Sequence, residues 1–190
     1  MNKIRLAIFA SGTGSNALNI IEYFKNSSTV EIVFILSNKS DAPIVQSAIN
    51  KGIPVKLFTN KEVEEAVLIT EFCSTQKIDF IILAGFLRKI PEQLIALYPN
   101  KIINIHPSLL PAYGGKGMYG SNVHKAVLQN NESISGITIH FVNSEFDKGE
   151  VIAQFTCQIS ESETLSSLQE KIHQLEHKNF PKIIEKTILS

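Results

Sequence analysis

Five short apolar runs, each followed by a loop and most by a helical pattern, fill the first 105 residues and restrict the fold more than any other feature. Residues 4–10 form a continuous branched apolar run broken only by Arg5, and they end in Ser11-Gly-Thr-Gly-Ser-Asn16. Runs of this length bounded by turn residues read as buried strands. Further strands are expected at 30–36, 55–58, 80–84 and 102–105. Helices are expected at 16–25, after Pro43 up to Gly52, from an Asn60 cap to about Gln76, and after Pro91. Strands alternating with helices imply βαβ units, so the expected class is α/β: a Rossmann-like open, mostly parallel twisted sheet with helices on both faces. Right-handed crossovers bring the strand-end loops to one edge, where open sheets of this class bind ligands. The candidate loops are 10–16, 37–43, 85–91 and 106–120.

The second half has a different pattern. Residues 134–142 and 151–159 read as strands joined by a polar loop, hence an antiparallel pair. Residues 164–188 read as a long C-terminal helix with Leu165, Leu168, Ile172, Leu175, Phe180 and Ile183 as its apolar stripe, kinked or divided at Pro181. One domain over 1–190 is expected, with 1–100 as a phosphate- and nucleotide-binding half and 101–190 as a catalytic half.

Composition narrows the function classes. Apolar residues are 44% and charged residues 19%, so a core is affordable and global disorder is not expected. Eighteen basic and 18 acidic side chains cancel, which gives no electrostatic reason for a nucleic-acid or membrane partner. No run approaches the roughly 18 apolar residues of a membrane span, and no signal-peptide core precedes the glycines, so a soluble cytoplasmic protein is expected. Cys73 and Cys157 lie far apart without a CxxC and read as two buried free thiols.

Four constellations carry chemistry. In Ser11–Asn16, glycines allow close backbone approach and a helix start attracts anions. No Gly-Lys-Ser/Thr follows, so it is not a Walker loop. A phosphate site, a dinucleotide site with Ala17 in third glycine place, and a plain turn stay open there. Asn104 and His106 lie two apart at a strand end and share a face, a neutral donor beside a group that moves protons near neutral pH. A backbone-capped histidine is the bland alternative. Asp147, in the turn Glu145-Phe-Asp-Lys-Gly149, either orients a histidine or is simply solvated. His173, Glu176 and His177 share a helix face, without a third ligand for a metal. His124 and His140 read as structural.

Taken in order, these segments resemble the folate-dependent glycinamide ribonucleotide formyltransferases. The segments are SGTGSN (11–16), LSNK (36–39), LAGFLRKI (83–90), INIHPSLLP (103–111), GITIHFV (136–142), EFDKGEVI (145–152) and IHQLEH (172–177). The resemblance implies a formyltransferase fold in which the 101–190 half also takes part in folate binding. It implies transfer of the formyl group of 10-formyltetrahydrofolate to the amine of 5-phosphoribosylglycinamide, in purine biosynthesis, without a metal. It also implies that Gly14, Ser15 and Asn16 hold the ribonucleotide phosphate, and that Leu87, Arg88, Lys89 and Ile90 line the folate site. Asn104, shared with folate, His106 and Asp147 are implied to be catalytic. Glu176 is implied to contact the substrate, and Lys61 to stand near the folate tail. His106, supported by Asp147, then meets the developing oxyanion together with Asn104. A tRNA formyltransferase carries a further domain for which this length leaves no room. A sugar-nucleotide acceptor, a folate hydrolase and a non-catalytic mononucleotide-binding module are the alternatives, and a homodimer stays open. Two departures stand out. Ala112–Gly120 is glycine-rich and suggests a mobile flap. Lys148 beside Asp147 raises the question of where its ammonium points.

Overall fold

The computed structural model describes residues 3–190. Two compact units divide the chain, Met1–Ile103 and Asn104–Ser190.

The first unit alternates strands and helices: β1 (Ile4–Phe9), α1 (Ser15–Phe24), β2 (Val30–Ser37), α2 (Pro43–Asn50), β3 (Val55–Leu57), α3 (Asn60–Glu65), α4 (Val67–Thr75), β4 (Phe80–Leu83) and α5 (Glu92–Leu97). Strand β5 (Ile102–His106) ends it and runs on past Ile103. Strand β1 pairs in parallel with β2 and with β4, and β2 with β3. Leu6 through Ala10 have no solvent exposure, nor do Ile35, Leu36, Ile81 and Ile82. Residues on both faces of these strands are buried, which explains why the strands read as continuous apolar runs rather than alternating ones. Each such Ile, Leu or Phe contributes on the order of 2 kcal/mol on burial. Phe34 and Phe72 stack tilted at 4.9 Å, and Phe9 meets Phe86 edge-on at 5.5 Å.

The expected 60–76 helix is two helices, and its cap is Thr59 rather than Asn60. The Thr59 hydroxyl accepts the Glu62 amide at 3.2 Å, and the Glu62 carboxylate accepts the Thr59 amide at 2.6 Å, a reciprocal capping box. Ala66 then turns left-handed (φ 65°) and separates α3 from α4. That conformation costs an alanine about 1–2 kcal/mol. The change of phase buries Val63, Ala66 and Ile69 together. Cys73 is buried as expected, and burial pushes its thiol up to about 12. Cys157 is only half-buried, a correction that follows from its place on β7.

The second unit holds α6 (Ser121–Gln129), β6 (Ile134–Phe141), β7 (Val151–Gln158) and α7 (Leu165–Ile188). Helix α6 has no counterpart in the expected elements. Strands β6 and β7 form the expected antiparallel pair, with a register shift between Ile139 and His140. The strands form a seven-stranded sheet in the order β3-β2-β1-β4-β5-β6-β7, mostly parallel, followed by the long terminal helix. Helix α7 starts at a Thr164 cap and is not divided at Pro181. Phe180, Pro181 and Ile184 are buried together, and their packing outweighs the one backbone bond a proline forfeits. The buried stripe is Leu168, Ile172, Glu176, Phe180, Ile184 and Ile188, so Ile184 replaces the expected Ile183 and a carboxylate joins the apolar face. No described helix is long and apolar enough to cross a membrane.

Phe180→Ala removes a fully buried ring from α7. It should lower the unfolding free energy by about 3–5 kcal/mol, seen as a lower urea midpoint at unchanged slope.

Candidate functional site

In the first unit, the Ser11–Asn16 loop joins the buried end of β1 to α1. Gly14 caps α1 with φ 74°, and a Cβ there would lie 2.5 Å from Ile44 Cδ1. Only glycine meets both demands. The first turn of α1 carries no acidic residue, so nothing opposes the positive end of the helix dipole. Ser11 anchors the loop. Its amide donates to the Gly85 carbonyl at 3.0 Å, and its hydroxyl donates to Asn38 Oδ1 at 2.6 Å and accepts from the Leu87 amide at 3.3 Å. Asn38 in turn donates to Asn60 Oδ1 at 2.7 Å. In the 85–90 segment Leu87 is half exposed and Ile90 buried, Lys89 is exposed, and Arg88 pairs with Glu64. Lys61 is 83% exposed and faces Glu65 at 3.5 Å.

In the second unit, the residues picked out at the end of β5 and in the acid turn converge. His106 Nδ1 lies 3.6 Å from Asp147 Oδ2. Asn104 does not meet His106 directly in any hydrogen bond found there. It is joined through His140, whose Nε2 lies 3.1 Å from Asn104 Nδ2 and 3.7 Å from Asp147 Oδ1. His140, whose place in β6 suggests a structural role from the sequence alone, is part of this cluster. Its Nδ1–H donates to the Phe141 carbonyl at 2.8 Å, so the neutral ring presents Nε2 as an acceptor and Asn104 Nδ2 donates to it. Burial pushes the His140 pKa below its ordinary value of 6.5, against the pull of the Phe141 carbonyl and of Asp147.

Alternation carries the missed signal. Thr138 and His140 share one face of β6, two polar side chains in an apolar strand. Thr138 has no exposure; its hydroxyl donates to the Ser108 carbonyl at 2.7 Å and accepts from the Leu110 amide and Gln154, each at 2.9 Å. It thereby pins the turn that follows His106.

Asp147 sits left-handed (φ 55°) with its side chain 12% exposed. Its Oδ2 accepts the Gly115 amide at 2.8 Å. Lys148 is not its partner, since the ammonium reaches out to Glu145 at 2.5 Å and is mostly exposed. His106 Nε2 is held by the Tyr113 carbonyl at 2.8 Å. His124 is buried on α6, and burial, with His173 and His106 nearby, holds its pKa below 6.5. On α7 the His173 and His177 rings stack at 5.4 Å, and buried Glu176 lies 3.9 Å from His173. Among the described residues no group of three or more His, Cys, Asp or Glu is placed to hold a metal. Two imidazoles, a carboxylate and an amide are thus collected, a set that orients donors toward a developing negative charge and moves protons.

Comparison with known proteins adds an independent line. The family described as "Formyl transferase" matches residues 4–184. A chloroplastic phosphoribosylglycinamide formyltransferase of Arabidopsis thaliana is 39% identical over 95% of this chain, which spans 64% of that protein's length. A phosphoribosylglycinamide formyltransferase of Bacillus subtilis (strain 168) is 34% identical, with 97% of this chain and 94% of that one covered. The crystal structure of phosphoribosylglycinamide formyltransferase from Bacillus halodurans superposes with a TM-score of 0.88 at 34% identity, over 96% of this chain and 94% of that one.

Stability should carry the mark of His140. Its folded pKa lies below the unfolded value of 6.5, so below pH 6.5 the unfolded chain binds the extra proton. Stability therefore falls on acidification, by at most about 1.4 kcal/mol per pH unit for this one group. Urea midpoints measured from neutral pH downward should show a flatter acid slope in His140→Gln than in the parent.

Proposed function

The chain belongs to the formyl transferase family, and from that premise we propose that it transfers the formyl group of 10-formyltetrahydrofolate to the amine of 5-phosphoribosylglycinamide, a step of purine biosynthesis. The observation that carries the reading is the convergence of His106, His140 and Asp147, with Asn104 tied in through His140. Nothing in a bare mononucleotide-binding module requires that set. A dehydrogenase reading finds no support at the tip of β2, where Ser37-Asn38-Lys39 offers no carboxylate for a ribose.

Each residue then has a role. Gly14, Ser15 and Asn16 hold the phosphate at the start of α1, where a carboxylate-free first turn favours an anion. Half-exposed Leu87, with Arg88, Lys89 and Ile90, provides an apolar edge and backbone groups for the folate ring. Lys61, exposed and near Glu65, is assigned to the folate tail. Glu176 contacts the glycinamide portion from α7. The donated one-carbon unit is already activated in the co-substrate, so the chain's own task is positioning and charge.

As the amine attacks, negative charge grows on the formyl oxygen. Asn104 has a second amide hydrogen to offer, because its first goes to His140 and the buried neutral ring keeps that bond one-directional. His106 acts from the other ring edge, oriented by Asp147 at Nδ1. The proton leaving the amine passes to the Asp147 neighbourhood and returns to the departing nitrogen. No covalent enzyme intermediate is required. The chain 1–190 is then one domain, with the phosphate held in the 1–100 half and catalysis, with a share of the folate binding, in the 101–190 half. It acts in the cytoplasm without metal, nucleic acid or membrane. The 18-to-18 charge balance supports the absence of a polyanionic partner.

A formyl-transfer assay with both substrates tests this. His106→Ala and Asp147→Asn should each lower kcat by about 10²–10⁴-fold with far smaller changes in KM. Folate turnover independent of the ribonucleotide would instead identify a hydrolase, and turnover only with a sugar nucleotide would move the acceptor. A folded protein inert toward all of these acceptors would leave the binding-module reading.

A further inference from the structure

The ring edge that His106 needs for the reaction is already occupied. A carbonyl oxygen only accepts, so the 2.8 Å contact makes His106 Nε2 the donor to Tyr113 in either protonation state. The other nitrogen, Nδ1, is the one that faces Asp147. In an Asp–His pair the nitrogen turned away from the carboxylate is the one that works on the substrate. The Tyr113 carbonyl therefore stands where an electronegative reacting oxygen would have to stand.

The segment carrying that carbonyl is tied down at defined points. Ser108 Oγ donates to the Ala112 carbonyl at 2.6 Å, and the Gly115 amide reaches Asp147. The Tyr113 phenol donates to Glu132 Oε1 at 2.7 Å, beyond the end of α6. Tyr113 is itself left-handed (φ 56°), an uncommon backbone for a bulky residue, and Gly115 and Gly117 follow at φ 94° and 89°. His106 meanwhile is only 4% exposed. The phenol–carboxylate bond lies at the surface and away from the catalytic cluster, with Asn130 as the phenol's second side-chain partner.

We propose that Tyr113 is a positioning residue: its main-chain carbonyl caps His106 Nε2 at rest, and its phenol, through Glu132, sets how readily the cap is released for substrate. This rests on the formyl-transfer reading for its effect on turnover, but the cap itself is a property of the free protein. Two readouts separate the parts. Diethyl pyrocarbonate acylates an accessible, unprotonated imidazole nitrogen, so the rate at His106, located by peptide mass mapping, reports release of the cap without any substrate. Steady-state formyl transfer reports its consequence.

Tyr113→Phe removes the phenol with both its bonds, Glu132→Ala removes its carboxylate partner and leaves Asn130, and both leave the backbone intact. Both should speed carbethoxylation of His106 about two- to tenfold, the factor that one net hydrogen bond represents, and leave exposed His173 unchanged. Both should raise kcat by a similar factor with KM little altered. Glu132→Gln, which keeps an acceptor oxygen, should return both rates toward the parent values, a reversal that general loosening of the loop would not give. Unchanged His106 reactivity in both variants overturns the proposal, as does a fall in kcat. Faster modification with unchanged kcat overturns the link between release of the cap and turnover. A parent protein without formyl transfer, whose His106 reactivity still responds to the latch, keeps the cap and removes the functional reading.

Discussion

A carboxylate that is 12% exposed must be compensated, and the arrangement of the second unit follows from how Asp147 is. One oxygen accepts the Gly115 amide and faces His106; the other faces His140. The left-handed turn that presents Asp147 is closed by its neighbours. Gly149 packs so tightly that a Cβ would fall 1.7 Å from the Phe141 carbonyl oxygen. Asn143 Nδ2 donates to the Lys148 carbonyl across the same turn at 3.0 Å. The acid is thus delivered by backbone geometry rather than by a flexible stem, as a charge placed among three polar side chains requires.

The two histidines of the cluster differ through their second contacts. Phe141 supplies its own carbonyl to His140, which settles a tautomer with a proton on Nδ1. Tyr113 supplies one to His106, which settles a proton on Nε2. Burial favours the neutral His140 ring, whose Nε2 accepts from Asn104 Nδ2. Identical side chains within one site therefore acquire different tasks from neighbours that lie one and seven positions away in the chain.

In the first unit the governing constraint is steric. Gly14 combines a left-handed cap with contact against Ile44, and Ser11 links that loop to the 85–87 segment through one hydroxyl and one amide. Loops that follow different strands are joined there by short polar bonds, which makes the loop edge of the sheet a fixed surface. The parallel strands buried beneath it supply the rigidity.

Local chemistry determined much of this protein in advance. Continuous branched runs named the parallel strands, Pro43 and Gly52 bounded α2, and the order of the Asn104, His106 and Asp147 segments carried the resemblance to a formyltransferase. Only tertiary structure decided the remainder. The break at Ala66 depends on which side chains find the core, and the undivided α7 on how Pro181 packs. His140 looked like one more residue of an apolar strand, because its partners Asn104 and Asp147 lie 36 and seven positions away. Tyr113 acts through a carbonyl that every residue possesses, so no side-chain pattern marks it. Propensity and periodicity are properties of neighbours along the chain, whereas tautomers, caps and burial are set by groups that only folding brings within hydrogen-bond reach.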